Sequence, residues 1–558
     1  MVHPDFTPDR GARWRSATSL TGWRCVCRPQ PIRLAHRLAR CLAHCLALSA
    51  ALCWAGGASA AGEVLKRGLG PEPDSLDIHQ AQGLAALQVL RDTHEGLVTF
   101  DASGELTGGV AERWDVSPDG LAWRFSLRED ARWSNGDPLV AEDFVRGWQT
   151  AVAPDTQART ASLLAPVAQA RAVMAGDADP SALGIRARSD YSLEVRLASP
   201  TPWFAELLAH PVAFPLHPAA GEDVLERPVN GPYRIEAVVP RSHVALVANP
   251  TWHGASGVAL RRVDYLVIED PGAELSRFRT GELHITETIP PGRHDWLADN
   301  LPDALRIAPY MGSFWLGLNL SRPPLEGAPE LRRALSLAID RETLTRVVMG
   351  AGEVPAWSVV PPGLAGYRPP ADPAEKDTQD GRENRARALY ARAGYGPDRP
   401  LRIQLRFNTS NQHRRMAVAV AAMWKQVLGV RTELLHEEWK VFVNNRRQGS
   451  LTQVFRGGWI ADYADPVSFL DLFRSGDALN TTFYASDNFD RLLDAAADAR
   501  GGRRLELLHQ AETLLLRDTP VIPLYHYVSR HLVDPRVRGY VDNPRDIHLS
   551  RYLALENP

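Results

Sequence analysis

The sequence is short of cysteine, and the five cysteines that it has all stand near its amino terminus. They are Cys25, Cys27, Cys41, Cys45 and Cys53. The rest of the chain therefore has no disulfide, no thiol nucleophile and no cysteine-ligated metal. A chain of 558 residues can bury large cores without such cross-links and has room for about two or three domains.

Signatures of catalysis and of nucleotide binding are also missing. The sequence contains no HExxH, GxSxG or P-loop pattern, and no group of His, Asp and Glu residues at metal-ligand spacing stands out. His526 is a lone histidine between two tyrosines, and such histidines usually pack or lie at the surface. We therefore predict no catalytic residue, no metal and no cofactor, which turns attention to binding.

Acidic residues outnumber basic residues once the first 60 residues are set aside. The whole chain has 63 Lys and Arg against 66 Asp and Glu. The first 60 residues hold eight Arg and two Asp, which leaves 55 basic and 64 acidic residues and a net charge of −9. This balance argues against a nucleic-acid partner.

The amino-terminal segment has the pattern of an export signal. A basic stretch that ends at Arg40 precedes an apolar run at 41–55, and Ala-Ser-Ala at 58–60 is typical of a signal-peptidase site. The run contains His44 and is shorter than the ~20 residues of a membrane span, which favours a cleaved signal over a membrane anchor. We predict a signal peptide with an extended basic leader at 1–60.

Beyond this segment, the chain alternates between helix and strand patterns. Strands are predicted at 63–70, at 191–199 and around Trp123, and helices at 83–97 and after the Asn-Gly-Asp turn at 135–137.

The most regular part is 400–458. It predicts strands at 401–407, 430–436 and 451–457 and helices at 411–429 and 438–449. This order indicates an α/β fold with parallel strands and right-handed crossovers. Ligands bind beyond the carboxyl ends of such strands, where we expect Asn408, His413 and Arg456.

The stretch VFRGGWIADYADP at 454–466 carries opposite charges six residues apart. Asp462 could pair with a ligand ammonium and Arg456 with a carboxylate, which together would suit a zwitterion. Gly457 and Gly458 would let a ligand backbone approach and add to the strand. In the alternative interpretation, the two charges bond to each other or to structural neighbours.

Two tryptophans accompany these charges. Trp459 lies inside the stretch and Trp439 precedes it. Both could form walls of a binding pocket, and both could equally be core residues.

Several longer stretches give the chain a family resemblance. They are SLDIHQAQG, AERWDVSPDGLAWRFSLREDARWSNGDPLVAEDFVRGWQ, EWKVFVNNRRQGSL, FRGGWIADYADPVSFL and IPLYHYV. In order and spacing they resemble the periplasmic oligopeptide-binding proteins of ABC importers, the extracellular solute-binding proteins of family 5. The resemblance covers about 62–558.

The resemblance implies an α/β fold of the type II periplasmic binding protein class, with mixed sheets in a three-domain, two-lobe clamp. Domain I would comprise 62–94, 219–310 and 529–558. Domain II would be 95–218, and domain III, the peptide-anchoring lobe, would be 311–528.

It also implies roles for individual residues. Asp462 would hold the peptide's ammonium, and the backbone at Gly458 and Ile460 would pair with the peptide backbone. Carboxylates of peptides of different length would reach one of three cations, Arg456, His413 and Arg322. Residues that would line side-chain pockets are Asn408, Trp439, Val443, Arg446, Trp459, Asn480 and Tyr527, together with Gln82, Gly83 and Leu84.

The chain departs from the family pattern at a few of these positions. Well-studied members have a cysteine where Ile460 stands and a partner cysteine near Gly312, so their disulfide is absent here. Gln82 stands where those members have an acid, which would change the charge preference of one pocket.

The function implied is that of a periplasmic monomer, not an enzyme, which captures short peptides and delivers them to an inner-membrane ABC permease. Other members of the family bind murein peptides, haem or other solutes, and fold alone does not choose among these ligands. A secreted peptide hydrolase is an alternative from another class, although the chain offers no recognised catalytic set.

Overall fold

The structure, a computed structural model, describes residues 64–556 except 222, 365 and 478. The predicted signal peptide at 1–60 lies outside the described residues. Gly62–Pro558 form one compact unit. Among the described helices, none is long and apolar enough to cross a membrane.

The strands of the described residues are β1 Leu65–Gly70, β2 Val98–Phe100, β3 Leu106–Gly108, β4 Ala111–Val116, β5 Ala122–Leu127, β6 Ile185–Ser189, β7 Ser192–Arg196, β8 Tyr233–Val239, β9 His243–Ala248, β10 Arg262–Val267, β11 Leu305–Leu318, β12 Val354–Pro355, β13 Arg402–Asn408, β14 Arg431–Glu437, β15 Val454–Ile460, β16 Val521–Leu532, β17 Val537–Arg538 and β18 Ala554–Leu555.

The α-helices are α1 Leu84–Thr93, α2 Ala141–Val152, α3 Ala170–Ala175, α4 Phe204–Leu207, α5 Pro271–Arg279, α6 His294–Asn300, α7 Pro329–Leu337, α8 Arg341–Thr343, α9 Gln379–Arg392, α10 Asn411–Leu428, α11 Trp439–Arg447, α12 Val467–Leu470, α13 Asp487–Asp498 and α14 Gly501–Asp518. A π-helical turn at Leu344–Met349 continues α8.

The first sheet has the strand order β1–β10–β9–β8. β1 pairs with β10 in parallel, and the other two pairs are antiparallel. Ala85 and Val89 of α1 pack into the core under this sheet. The predicted strand at 63–70 and helix at 83–97 are confirmed, although the helix ends at Thr93.

The second sheet is antiparallel, with the order β4–β5–β7–β6. The alternation along β5 points Trp123, Phe125 and Leu127 into the core. α2 covers the same core with Phe144 and Trp148. The predicted strand around Trp123, the strand at 191–199 and the helix after the Asn-Gly-Asp turn are thus confirmed.

The third sheet is mixed, with the order β12–β16–β11–β15–β13–β14. β13 pairs in parallel with both β14 and β15, and the remaining pairs are antiparallel. Helices α10 and α11 connect the three parallel strands, so the expected strand–helix–strand–helix–strand unit is confirmed.

Two long strands of this sheet, β11 and β16, run across the expected limits of domains I and III at 310/311 and 528/529. Near its end, β16 meets residues of the first sheet's region, because the Thr286 amide donates to the Leu532 carbonyl at 3.0 Å. Two further sheets among the described residues have two strands each, β2–β3 and β17–β18. The three larger sheets agree in number with three domains, while the domain limits stay a prediction.

Candidate binding site

β15 presents an unpaired edge at the centre of the third sheet. The strand pairs with β11 over its whole length, but with β13 only at Val454 and Phe455. From Gly457 to Ile460, the side that faces away from β11 has no strand neighbour among the described residues. Such an edge offers backbone hydrogen-bonding groups to an extended chain.

The expectation that Arg456 follows the carboxyl end of its strand is wrong. Arg456 is the third of seven residues in β15 and stands opposite Leu316 of β11. The strand continues because its antiparallel partner β11 extends beyond the end of β13. Asn408 does end β13, and it lies beside Arg456 as expected.

The Arg456 side chain is held by polar and aromatic neighbours. Its Nε donates to Asn408 Oδ1 at 2.7 Å, and its guanidinium carbon lies 4.9 Å from the ring centroid of Trp439 and 5.2 Å from that of Phe442. No carboxylate of the described residues lies within ion-pair distance of it. Phe442 is a contact that the sequence prediction missed.

His413 and Arg446 add two more basic side chains to this end of the site. Burial, and then the charge of Arg456, lower the pKa of His413 to about 4. Burial, and then Arg456, lower the pKa of Arg446 to about 10. His413 Nδ1 and Arg446 Nε are buried without a hydrogen-bond partner.

These shifts show that the basic groups repel one another and are partly desolvated. An anion placed among them would relieve both effects. His413 is neutral at pH 7 in the unliganded protein, so the expectation that it supplies a positive charge holds only where a nearby anion restores its proton.

Asp462 lies two residues after the other end of β15, where its side chain is exposed to solvent. Nearby protein still desolvates the carboxyl in part, which raises its pKa, and no Lys, Arg or His of the described residues pairs with it. Its amide donates to Ser468 Oγ at 3.2 Å. Arg456 and Asp462 therefore do not bond to each other, which removes the alternative of an internal salt bridge.

The loop that carries Asp462 is braced by contacts that sequence reasoning missed. Ser468 Oγ also accepts a hydrogen bond from Trp459 Nε1 at 3.3 Å. Arg504 forms a buried two-fold ion pair with Asp465 at 2.7 and 2.8 Å. Nothing local signals this pair, because 39 residues separate its members.

A residue of the second sheet's region also reaches this loop. The ring of Trp203 stacks on Tyr463 with centroids 5.6 Å apart and planes at 6°. The guanidinium of Arg504 lies 5.4 Å from the same Trp203 ring. The loop is thus fixed on two sides, next to the residue that carries the free carboxylate.

The two glycines of β15 make room for rings of the protein itself. A Cβ on Gly457 would lie 2.3 Å from Trp315 Nε1, and one on Gly458 would lie 2.8 Å from the Tyr527 hydroxyl. Their packing role accounts for glycine at both positions without a ligand.

Tyr527 and Val443 are two of the residues that the resemblance assigns to side-chain pockets, and that role stays a prediction. The Tyr527 ring meets Phe314 edge-on with centroids 6.3 Å apart, and burial raises the pKa of its hydroxyl to about 12. Val443 is half-buried on α11, the helix that also carries Arg446 and the exposed Trp439.

Asn480 and Arg322 have other surroundings. The Asn480 amide donates to the carbonyls of Phe473, Arg474 and Tyr484 and its oxygen accepts from Thr482, so it holds its own loop and has no spare donor. Arg322 donates to the Ser450 carbonyl and lines a surface groove with Arg402 and Arg431. That groove lies at the amino ends of β13 and β14, whereas Asn408 is at the carboxyl end of β13.

Gln82, Gly83 and Leu84 lie at the start of α1. The amides of Gln82 and Gly83 donate to the two carboxylate oxygens of Asp74, each at 3.0 Å, and Leu84 is exposed. No described contact joins them to β15 in this arrangement of the chain.

Ile460 stands directly opposite Gly312 in the pairing of β15 with β11. A Cβ on Gly312 would lie 3.3 Å from Ile460 Cγ1 and 2.4 Å from the ring of Tyr527. The resemblance implies that a family disulfide would join the position of Ile460 to one near Gly312, and in this chain Ile460 and Tyr527 fill the space beside Gly312.

This α/β architecture, with its unmatched charges at the two ends of a free strand edge, defines a ligand-binding protein of the two-lobed periplasmic binding class. The chain belongs to the bacterial extracellular solute-binding proteins of family 5, whose middle-region model matches residues 105–481. The resemblance seen in the sequence is confirmed.

Two curated relatives cover nearly the whole chain. The periplasmic murein peptide-binding protein MppA of Escherichia coli is 35% identical over 501 residues, which are 88% of this chain and 93% of that protein. The periplasmic oligopeptide-binding protein OppA of Salmonella typhimurium is 36% identical over 489 residues, which are 86% of this chain and 90% of that protein.

The same architecture is found in a solved structure. MppA, described as a periplasmic murein tripeptide-binding protein in its unliganded open form, superposes with a TM-score of 0.82 at 34% identity. The match covers 89% of this chain and 98% of that one.

Proposed function

We propose that this protein binds short peptides as extended strands along the free edge of β15 and delivers them to an ABC permease of the inner membrane. The peptide's ammonium pairs with Asp462, and its carboxylate lies among Arg456, Arg446 and His413. The peptide then runs antiparallel to β15.

One observation carries this proposal. Asp462 and Arg456 lie at opposite ends of a strand edge, and neither has a protein partner of opposite charge among the described residues. Desolvated charges without partners are costly, so evolution keeps them where a ligand supplies the partner. A zwitterionic ligand with one charge at each end would pair with Asp462 and with Arg456 at the same time.

The backbone between these charges fits the same ligand. Residues 456 to 460 lie on β15, and four steps of extended chain cover about 13 Å. An extended peptide of a few residues has a similar length, and its backbone can pair with the unpaired edge. Side chains of such a peptide alternate between the two faces, which leaves them less constrained than the two ends.

The setting of the activity follows from the relatives. OppA and MppA are named as periplasmic binding proteins, which supports export of this chain and delivery of its ligand to a membrane permease. The similarity to an unliganded open form supports an open arrangement here, in which Gln82, Gly83 and Leu84 approach the peptide only after the lobes close.

Calorimetry with three related peptides tests the proposal. The full chain is exported, purified and freed of bound ligand, then titrated with trialanine, N-acetyl-trialanine and trialanine amide. We expect trialanine to bind and each blocked analogue to lose at least tenfold in affinity, because each leaves one desolvated charge without a partner.

Two outcomes would overturn the proposal. Equal affinity for all three peptides would show that the ends are not recognised. If none of the three peptides binds, and mass spectrometry finds a non-peptide compound in protein purified without ligand removal, the ligand of this protein is another class of solute.

A further inference from the structure

Three side chains outside the peptide site converge on one point. His531 comes from β16, while Asp546 and His548 come from the segment between β17 and β18. Their nearest ligand atoms all lie within 4.8 Å of one another. Asp546 Oδ1 is 2.8 Å from His531 Nε2 and 3.1 Å from His548 Nε2.

These distances are close to those within a coordination sphere. Ligand atoms about 2.0–2.1 Å from a tetrahedral metal ion lie roughly 3.3 Å from one another. Small movements of the three side chains would therefore admit an ion between them. The side chains also line a cavity of about 30 Å³, which is enough for one particle the size of a water molecule.

The backbone sets one imidazole in the orientation that a metal requires. His531 Nδ1 lies 2.9 Å from the carbonyl oxygen of Thr286, and a carbonyl can only accept, so Nδ1 carries the proton. Nε2 donates to Asp546 Oδ1 at 2.8 Å, because a carboxylate oxygen can only accept, so this nitrogen carries a proton as well. Loss of that proton would turn the Nε2 lone pair toward Asp546 and His548. Ligating histidines are commonly oriented in this way by a hydrogen bond on the other ring nitrogen.

The neighbouring groups leave this triad accessible to an ion. Tyr540 stacks on the His548 ring with centroids 3.9 Å apart, which fixes that ring. Arg67 Nη1 donates to the backbone carbonyl oxygen of His548 at 2.7 Å and not to its imidazole ring. One further acid, Glu287, and two bases, Arg67 and Arg91, line the same cavity.

We propose that His531, Asp546 and His548 form a binding site for a divalent transition-metal ion of the Zn²⁺ class. Two imidazoles and one carboxylate suit Zn²⁺, Co²⁺ or Cu²⁺, whereas Ca²⁺ and Mg²⁺ favour oxygen ligands. Binding displaces the imidazole proton shared with Asp546, and water completes the coordination. The sequence predicted no such site, because 15 residues separate His531 from Asp546.

A bound ion would cross-link two parts of the chain. It would tie the carboxyl-terminal segment that carries Asp546 to β16, one of the two strands that cross the expected domain limits. The site thus acts as a brace on β16, and it does not depend on what the protein carries in its peptide site.

Titration of the chelator-treated protein with Zn²⁺ tests this site. The full chain, exported and purified without a histidine tag, is titrated by calorimetry in excess Mg²⁺. We expect one Zn²⁺ ion per chain and a rise in the midpoint of thermal unfolding. Co²⁺ in place of Zn²⁺ should give the visible absorption of a four-coordinate site.

Three variants assign the ion to these residues. His548→Gln and Asp546→Asn should each weaken Zn²⁺ binding at least tenfold and abolish the rise in unfolding midpoint, and either variant suffices if the other fails to fold. His509→Gln removes an exposed histidine of α14 and should bind as the unaltered protein does.

The proposal is overturned by any of three results: no saturable Zn²⁺ binding, the same binding in the triad variants as in the unaltered protein, or equal displacement by Mg²⁺.

Discussion

Single residues in this protein carry charges that the rest of the chain leaves unmatched. Arg456, Arg446 and His413 lie together without a carboxylate. Burial lowers the pKa of each, and the charge of Arg456 lowers the pKa of Arg446 and His413 further. Asp462 shows the opposite shift, because burial raises the pKa of its carboxyl and no cation compensates. The protein has stored these penalties in the unliganded state, and a peptide with free ends relieves them.

Peptide binding should take up a proton at His413. Burial and Arg456 hold its pKa at about 4 rather than the usual 6.5, and a peptide carboxylate beside the ring would raise it again. Affinity should therefore rise as the pH falls from 7 to 5, with proton uptake measured by calorimetry in buffers of different ionisation enthalpy.

His413→Gln and the peptide amide are the controls for this proton. Neither should show uptake, since one lacks the imidazole and the other the carboxylate. The same uptake in His413→Gln as in the unaltered protein would place the proton elsewhere.

Gly458 tests whether the glycines of β15 serve internal packing. Gly458→Ala should cost about 1–3 kcal/mol of stability, because the added methyl meets the Tyr527 hydroxyl at 2.8 Å. Tyr527→Phe removes that hydroxyl, so the double variant should recover much of the loss in unfolding midpoint. If Gly458→Ala leaves the midpoint unchanged and only weakens peptide binding, the glycine serves the ligand instead.

At the level of elements, the loop after β15 holds Asp462 through contacts that do not touch a peptide. Ser468 receives two hydrogen bonds from this loop, and Arg504 pairs with Asp465 in a buried site. The order of this loop decides whether the ammonium site exists before the peptide arrives.

The buried Arg504–Asp465 pair should matter far more than an exposed neighbour. Arg504→Met should cost about 3–5 kcal/mol, because it leaves the Asp465 carboxylate buried and unpaired, and it should weaken peptide binding as well. Arg503 pairs with Glu506 at the surface, so Arg503→Met should cost at most about 1 kcal/mol. Chemical denaturation measures the stability of both variants, and calorimetry measures their peptide binding. Equal losses of stability in the two variants would contradict the bracing role of Arg504.

Local patterns predicted the three parallel strands of the third sheet and the helices between them, but not the other three strands, nor where β15 begins and ends. The apolar and polar spacing of 400–458 predicted three strands and two helices close to their observed limits. β15 begins and ends three residues later than predicted, because β11 extends it, and this partner comes from more than 130 residues earlier in the chain. No local pattern contains that information.

The same limit applies to the site. The two charges and Asn408 were visible from composition and position, whereas Trp203, Ser468 and Arg504 act through distant contacts that only the fold creates. The resemblance supplied most of the remaining candidates. The roles it gives to Arg322 and Asn480 stay predictions, and their side chains bond to other parts of the chain in this structure.

At the scale of the whole molecule, two long strands link the first sheet's region to the third sheet. β11 begins beside the end of β16, near the first sheet's region, and then pairs with β15, while β16 runs antiparallel beside it. Any relative motion of the lobes must bend these two strands, which makes them the expected hinge. The peptide ends, the braced loop and the strands of the hinge therefore belong to one connected unit.

The pairing of a peptide ammonium with Asp462 is the central claim, and a double-mutant cycle measures it most directly. Trialanine and N-acetyl-trialanine are titrated into the unaltered protein and into Asp462→Asn, with Asp303→Asn as an exposed control. We predict a coupling of several kcal/mol, since Asp462→Asn should weaken trialanine strongly and leave the acetylated peptide little changed. A coupling near zero, with both peptides affected equally, would contradict the account.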